Sequence, residues 1–361
     1  MNETTALNVA AVDGDRPAGE PTGGAEPAVV AEGVRRTYGD VVALDGVDLA
    51  VERGEVFGLI GPNGAGKTTL VRALTGTTDF EGRVRILGER PEAVDRARIG
   101  LLPQAFDPPA RLTARELVDY YGGLYDEARP TADVLRDVGI ADAADAWYET
   151  LSGGQKRRTC VATTLVNDPD VLFLDEPTTG IDPAGRRSLH RLIERLAERG
   201  RTVFLTSHAM DEVERLADRA ALLRGGSVVA VGTPDELIAE HGGEPRVEVD
   251  LTSPAGDELL AEVAAAARER GLDAETSATA GVLRLSGVRP ASIGDAVGAL
   301  EAAGVAFESL SWTEPSLEDV YLRLTGEEYS PRDGGGDGYT DLRTSGGTEV
   351  GSPDASEVTG E

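Results

Sequence analysis

Lysine is almost missing from this 361-residue sequence: of 35 basic residues only Lys67 and Lys156 are lysines, leaving 33 arginines. A lysine that survives such depletion is a candidate for chemistry, because a compact ammonium and a planar guanidinium are not interchangeable. Cysteine is reduced to Cys160, which excludes an intrachain disulfide and gives no sign of an oxidising compartment. No run approaches the ~18 to 20 consecutive apolar residues of a membrane-spanning helix, and the opening Met1-Asn2-Glu3-Thr4 lacks the basic and apolar segments of a secretory leader. A cytoplasmic chain is expected, with any membrane role reached through a partner. Positive charge is also scarce, since 64 acidic residues set the net charge at −29. Such a polyanion repels phosphate backbones and anionic headgroups, which disfavours non-specific nucleic-acid binding.

What is abundant is aspartate, glutamate, glycine and alanine, with aromatics at 4%. This composition resembles that of proteins from salt-accumulating archaea, where high salt screens self-repulsion. An arginine-rich, high-GC genome with an acidic tail is the other source of the same bias. The length suits about two domains of roughly 150 residues each.

Residues 1–28 are rich in Gly, Pro, Ala, Thr and acids without apolar periodicity, and a similar composition returns over 326–361; both read as disordered tails. Between them, 29–242 alternates apolar runs such as Val56 to Ile60, Val171 to Leu174 and Thr202 to Thr206 with helical stretches. That alternation predicts an α/β domain with a parallel sheet. A helical insert is expected over about 112–146. The His241-Gly242-Gly243-Glu244-Pro245 break predicts a linker. Beyond it, 245–325 reads βαββαβ, the order of a small split-βαβ, ferredoxin-like α+β domain.

Three motifs carry chemistry. Gly61-Pro62-Asn63-Gly64-Ala65-Gly66-Lys67-Thr68 follows a predicted strand and opens a helix that includes Thr69. Glycines let successive backbone N–H groups turn inward as an anion nest, Lys67 reaches the β and γ phosphates, and the Thr68 hydroxyl suits Mg²⁺. Val171-Leu172-Phe173-Leu174-Asp175-Glu176 is a buried-strand run ending in two acids, one to hold Mg²⁺ and one to polarise an attacking water. Leu151-Ser152-Gly153-Gly154-Gln155 precedes a helical stretch; a serine and two glycines there make a capped helix start or a second anion site.

In this combination the chain resembles the ATP-binding cassette (ABC) ATPases of transporters, a branch of the P-loop NTPases, over about residues 29–242. LSGGQ is that family's signature, in its proper place between the other two motifs. The resemblance implies further roles: Tyr38 stacks on adenine, and Gln104 contacts Mg²⁺ and water. It makes Glu176 and His208 the groups that act on the water, with Lys67 at the phosphates, and Asp182 a coupler of two ATP sites. The implied metal set is Thr68, Gln104 and Asp175. His190 and His241 are left as surface residues, and Cys160 as a small apolar residue on the signature helix.

The resemblance further implies a head-to-tail homodimer, each ATP closed between one subunit's phosphate loop and the other's LSGGQ. Leu101-Leu102-Pro103-Gln104, Leu112 to Leu117 and the Trp312 to Tyr321 segment look most like multidrug and daunorubicin-type exporter subunits. These work with a separate multi-span permease on the inner face of the membrane. An importer ATPase with the same motor, a soluble cassette and a non-hydrolysing scaffold stay open as alternatives.

Overall fold

The structure, a computed structural model, describes residues 26–252, 256–279 and 281–326. Most of the two expected tails lies outside the described residues. Their inner ends do not: Ala28 is fully buried and donates its N–H to Val51 O, so the fold starts slightly earlier than the composition suggests.

In chain order the first unit runs β1 (Val29–Tyr38), β2 (Val41–Val51), β3 (Val56–Ile60), α1 (Lys67–Leu74), β4 (Glu81–Ile86), β5 (Ile99–Leu102), α2 (Ala114–Gly122), α3 (Thr131–Asp137) and α4 (Gly153–Thr163). It continues through β6 (Val171–Asp175), α5 (Pro183–Glu198), β7 (Thr202–Ser207), α6 (Met210–Leu216), β8 (Arg219–Arg224), β9 (Ser227–Gly232) and α7 (Pro234–Leu237). A six-stranded sheet has the order β5-β6-β7-β3-β8-β9, parallel except for the β8 and β9 pair. Every residue of β3, β6 and β7 is buried, which is why these strands read as unbroken apolar runs. Alternate side chains serve opposite faces. Phe57, Phe173 and Phe204 meet on one face with neighbouring ring centroids 5.6 and 5.7 Å apart. Leu172, Leu174, Val203 and Leu205 face the helices on the other. The α/β reading is borne out.

A second, antiparallel sheet of order β2-β1-β4 covers α1 and has no counterpart in the sequence reading. Its signal is diluted because Val41 and Val42 face solvent and β1 carries several register shifts against β2. The helical insert contains α2 and α3, with α2 opened by a Thr113/Glu116 capping box.

The second unit runs β10 (Arg246–Leu251), α8 (Asp257–Glu269), β11 (Glu275–Thr279), β12 (Val282–Ser286), α9 (Ile293–Ala302) and β13 (Phe307–Thr313). Its sheet order is β11-β12-β10-β13, all antiparallel, with Val263, Ala267, Ala299 and Leu300 of the two helices in one core with Val247 and Leu285. The final helix, α10 (Leu317–Thr325), corrects the expected 245–325 boundary. Leu317, Val320 and Tyr321 join the core of the first unit together with Met210, Val213 and Leu237. The reason is periodic: these residues form an i, i+3, i+4 apolar stripe that needs a facing groove, and α6, α7 and the Ile238–Gly242 turn supply it.

Candidate active site

The carboxyl ends of β3, β5, β6 and β7 lie side by side in the parallel sheet, and each leads into a residue singled out by sequence. Ligands collect at such strand ends. After β3 the loop turns through Gly64 and Gly66 at φ 81° and 108°, left-handed values that favour glycine. Gly61 and Gly66 also pass close to backbone, since a Cβ on either would lie 2.5 Å from Leu223 O or Ala43 O respectively. Asn63 and Gly64 are exposed, Pro62 and Thr69 partly so, and Ala65 buried.

Lys67 folds back across this loop. Its Nζ donates to Gly61 O at 2.7 Å and Pro62 O at 3.2 Å, and lies 3.4 Å from Glu176 Oε1. Burial lowers the ammonium's pKa, opposed by the Glu176 charge. Glu176 is the centre of the cluster. Its Oε2 accepts from Gln104 Nε2 at 3.2 Å and Thr179 Oγ1 at 3.1 Å and lies 3.3 Å from His208 Nδ1. Burial would raise this carboxyl, but the His208 hydrogen bond and the Lys67 charge hold it at about 2. The same bond, ahead of burial, raises His208 above its ordinary value. Thr68 Oγ1 is 3.4 Å from Gln104 Oε1.

Glu176 has φ 48°, a left-handed conformation that costs a non-glycine residue about 1–3 kcal/mol where the surroundings enforce it. Enforcement is visible. The Glu176 N–H donates to Thr206 Oγ1 at 2.9 Å, and that hydroxyl donates to Asp175 Oδ1 at 2.6 Å. From α4, Arg157 grips three successive carbonyls, Asp175 O, Glu176 O and Pro177 O, at 2.8 to 2.9 Å. Asp175 itself is 1% exposed, and its Oδ2 has no hydrogen-bond partner among the described residues.

The structure thus brings Lys67, Thr68, Gln104, Asp175, Glu176 and His208 together. Gly61 to Gly66 and Thr69 belong to the loop around Lys67; the other candidates have different partners. Ser152 caps α4 in a reciprocal box with Gln155. Gly153 and Gly154 pack so closely on Gly180 O and Asp182 Oδ1 that a Cβ would lie 3.1 and 2.8 Å from them. Asp182 caps α5 through Gly185 N. Tyr38 is 42% exposed, with its hydroxyl 3.4 Å from Thr78 Oγ1 and the Arg36 guanidinium 4.5 Å from its ring centroid.

Thr179, Thr206 and Arg157 escape a sequence reading because a hydroxyl or an arginine carries no positional signal until the strands are assembled. His190 is a correction. It is 4% exposed, not a surface residue, because its Nε2 lies 3.2 Å from the buried Glu212 carboxylate. Cys160 is buried with Sγ 3.3 Å from Tyr148 Oη. Lys156, the second lysine, places Nζ 5.6 Å from the Tyr148 ring centroid.

The family profile described as ABC transporter matches residues 44–179. The daunorubicin resistance ATP-binding protein DrrA3 of Streptomyces coeruleorubidus is 39% identical over 84% of this chain and 98% of its own length. The Nod factor export ATP-binding protein I of Rhizobium sp. (strain N33) is 36% identical over 82% and 96% respectively. Among solved structures, an ATP-binding subunit of an ABC transporter is similar at TM-score 0.54 and 25% identity, covering 60% of this chain and 93% of that one. The dimeric post-hydrolysis cassette MJ0796 with ADP and Pi is similar at TM-score 0.52 and 25% identity, over 57% and 98%.

Proposed function

Because the chain belongs to the ATP-binding subunits of ABC transporters, with their ATPase activity, we propose that it powers export of a small molecule through a separate permease. The observation that carries the motor half is the Glu176 carboxylate, ringed by Lys67, Gln104, Thr179 and His208 where the parallel strands end. Export is supported by likeness to daunorubicin resistance and Nod factor export subunits along more than four-fifths of the chain, second unit included.

The chemistry follows from the arrangement. Backbone N–H groups of the Gly61–Thr68 loop and the start of α1 cradle the β and γ phosphates, and the exposed Tyr38 ring stacks on the base. With ATP present, Lys67 exchanges its loop carbonyls for phosphate oxygens. Glu176 is ionised at neutral pH, so it accepts a hydrogen bond from a water aligned on the γ-phosphorus and polarises it. His208, whose contact with Glu176 favours its protonated form, donates toward the γ-phosphate. Mg²⁺ fits this oxygen-rich corner, where the buried Asp175 Oδ2 lacks a partner. Asp175, Thr68 and Gln104 would hold the ion, which neutralises phosphate charge when bound.

Ser152, Gly153 and Gly154 form a helix start beside Asp182 and, among the described residues, make no side-chain hydrogen bond with Lys67 or Glu176. In a head-to-tail homodimer they cap the γ-phosphate held by the partner subunit, and loss of that phosphate on hydrolysis opens the pair. The subunit then works on the cytoplasmic face of the membrane, docked to its permease. The −29 charge suits a cytosol of concentrated salt. Purification of the full chain from native membranes in mild detergent tests the transport reading. Recovery with a multi-span permease whose presence stimulates ATP hydrolysis is expected. Recovery with an extracellular binding protein as well identifies an importer, and recovery as a free cassette overturns the membrane assignment.

A further inference from the structure

Another buried acid lies outside the cluster just described. Glu212, in the first turn of α6, is 2% exposed. Its Oε2 accepts from Thr178 Oγ1 at 2.6 Å and Ser207 Oγ at 3.1 Å; its Oε1 faces His190 Nε2 at 3.2 Å and Arg186 Nε at 3.3 Å. Four groups from three segments therefore converge on one carboxylate: the turn after β6, the end of β7, and α5 twice.

The neighbours of these partners are what matter. Thr178 immediately precedes Thr179, whose hydroxyl donates to Glu176. Ser207 immediately precedes His208, which contacts Glu176 from the other side. Ser207 Oγ also accepts from Ala209 N at 2.9 Å, so the same hydroxyl that donates to Glu212 closes the turn carrying His208. Arg186 and His190 sit on α5, the helix capped by Asp182.

We propose that Glu212 is a positioning residue for ATP hydrolysis, one buried carboxylate that fixes both turns flanking Glu176 and ties them to α5. This rests on the reading of Glu176 as the water-polarising carboxylate. Burying a carboxylate is costly unless it is fully paired, and here all the pairing is spent on segments that carry other working residues. Burial would raise the Glu212 carboxyl, but the His190 and Thr178 bonds lower it, so it stays anionic and holds its donors. Among the described residues Glu212 makes no hydrogen bond or ion pair with the phosphate loop, so nucleotide affinity should not depend on it.

Steady-state ATP hydrolysis by the purified full chain tests this. Glu212→Ala lowers kcat by about tenfold to a hundredfold, the scale of an ångström-level misplacement, while KM for ATP stays within about twofold. Glu212→Gln keeps an amide oxygen facing Thr178 and Ser207 and recovers most of kcat. Thr178→Val and Ser207→Ala each remove one hydroxyl, leave no buried charge unpaired, and lower kcat by roughly threefold to tenfold; they decide the matter if Glu212→Ala does not fold. Parental kcat in both hydroxyl variants, a change confined to KM, or a Gln variant no better than Ala overturns the proposal. Glu176→Gln is measured alongside. If it turns over like the parent, the reading of Glu176 fails; if it is inactive while the Glu212, Thr178 and Ser207 variants match the parent, only this inference fails.

Discussion

Around the six-stranded sheet the chain buries Glu55, Lys67, Asp175, Glu176, His190 and Glu212. The four-stranded sheet of the second unit instead covers Val247, Val249, Leu283, Leu285 and Leu300, with no charged side chain among the described buried residues from 246 to 313. Both units are sheets packed on helices, so architecture does not explain the difference. A buried charge is costly unless paired, and folding alone gives no reason to accept it. At the carboxyl ends of β6 and β7 the proposed chemistry supplies a reason, whereas Glu55 beside β3 is held by Glu52 N–H and Arg219. The second unit has the composition expected where only packing is required.

The sharpest way to break this contrast is one atom in the first unit. Glu176→Gln should leave ATP binding intact while phosphate release falls by about a hundredfold or more, the range that general-base positioning supplies. A turnover equal to the parent's at saturating MgATP removes Glu176 from the chemistry. Lys67→Ala comes next: nucleotide affinity or turnover should fall by at least about tenfold as the phosphate cation disappears, checked by titration with ATP. In the second unit Leu283→Ala should cost about 2–5 kcal/mol of that unit's stability by opening a cavity. ATP affinity should stay unchanged; a matching loss of affinity would show that the two cores are not separate in role.

A pH comparison is smaller in effect. The folded Glu176 carboxyl sits at about 2, against an ordinary 4.5. Its ionic contacts therefore stabilise the fold above about pH 4.5 and are lost as pH falls toward 2. Melting curves should show the parent losing more stability than Glu176→Gln across that window. In the same variant His208, deprived of its carboxylate, should titrate lower than in the parent, as read from its imidazole NMR signals. The mildest expectation concerns both units alike: molar KCl should raise the melting temperature by screening the −29 charge. Melting that ignores KCl would leave genome composition as the source of the acidity.

Strands β3, β6 and β7 were legible because burial on both faces leaves no polar position to confuse the run. Strands β1, β2 and β4 were not, since half of each strand meets solvent and bulges break the period. The residues at the phosphate loop and after β6 stand out because glycine, lysine and paired acids have few other reasons to occur in that order. Thr179, Thr206, Arg157 and Glu212 do not, because their roles arise only when α4, α6, β6 and β7 come together. His190 shows the limit well: a lone histidine on an arginine-rich helix reads as exposed until α6 brings Glu212 to it.

The return of α10 to the first unit makes the second unit an insertion rather than an appendage. Its two ends already touch, since a Cβ on Gly242 would lie 3.0 Å from Pro315 Cβ. Cutting the gene at the His241–Pro245 linker would therefore strip the cassette of Leu317, Val320 and Tyr321 and uncover its core. Excising only the residues between Gly243 and Pro315, and bridging the gap with a short turn, would keep that helix in place. The excision would still remove the Arg246–Asp319 ion pair, which at 2.8 Å ties β10 to α10.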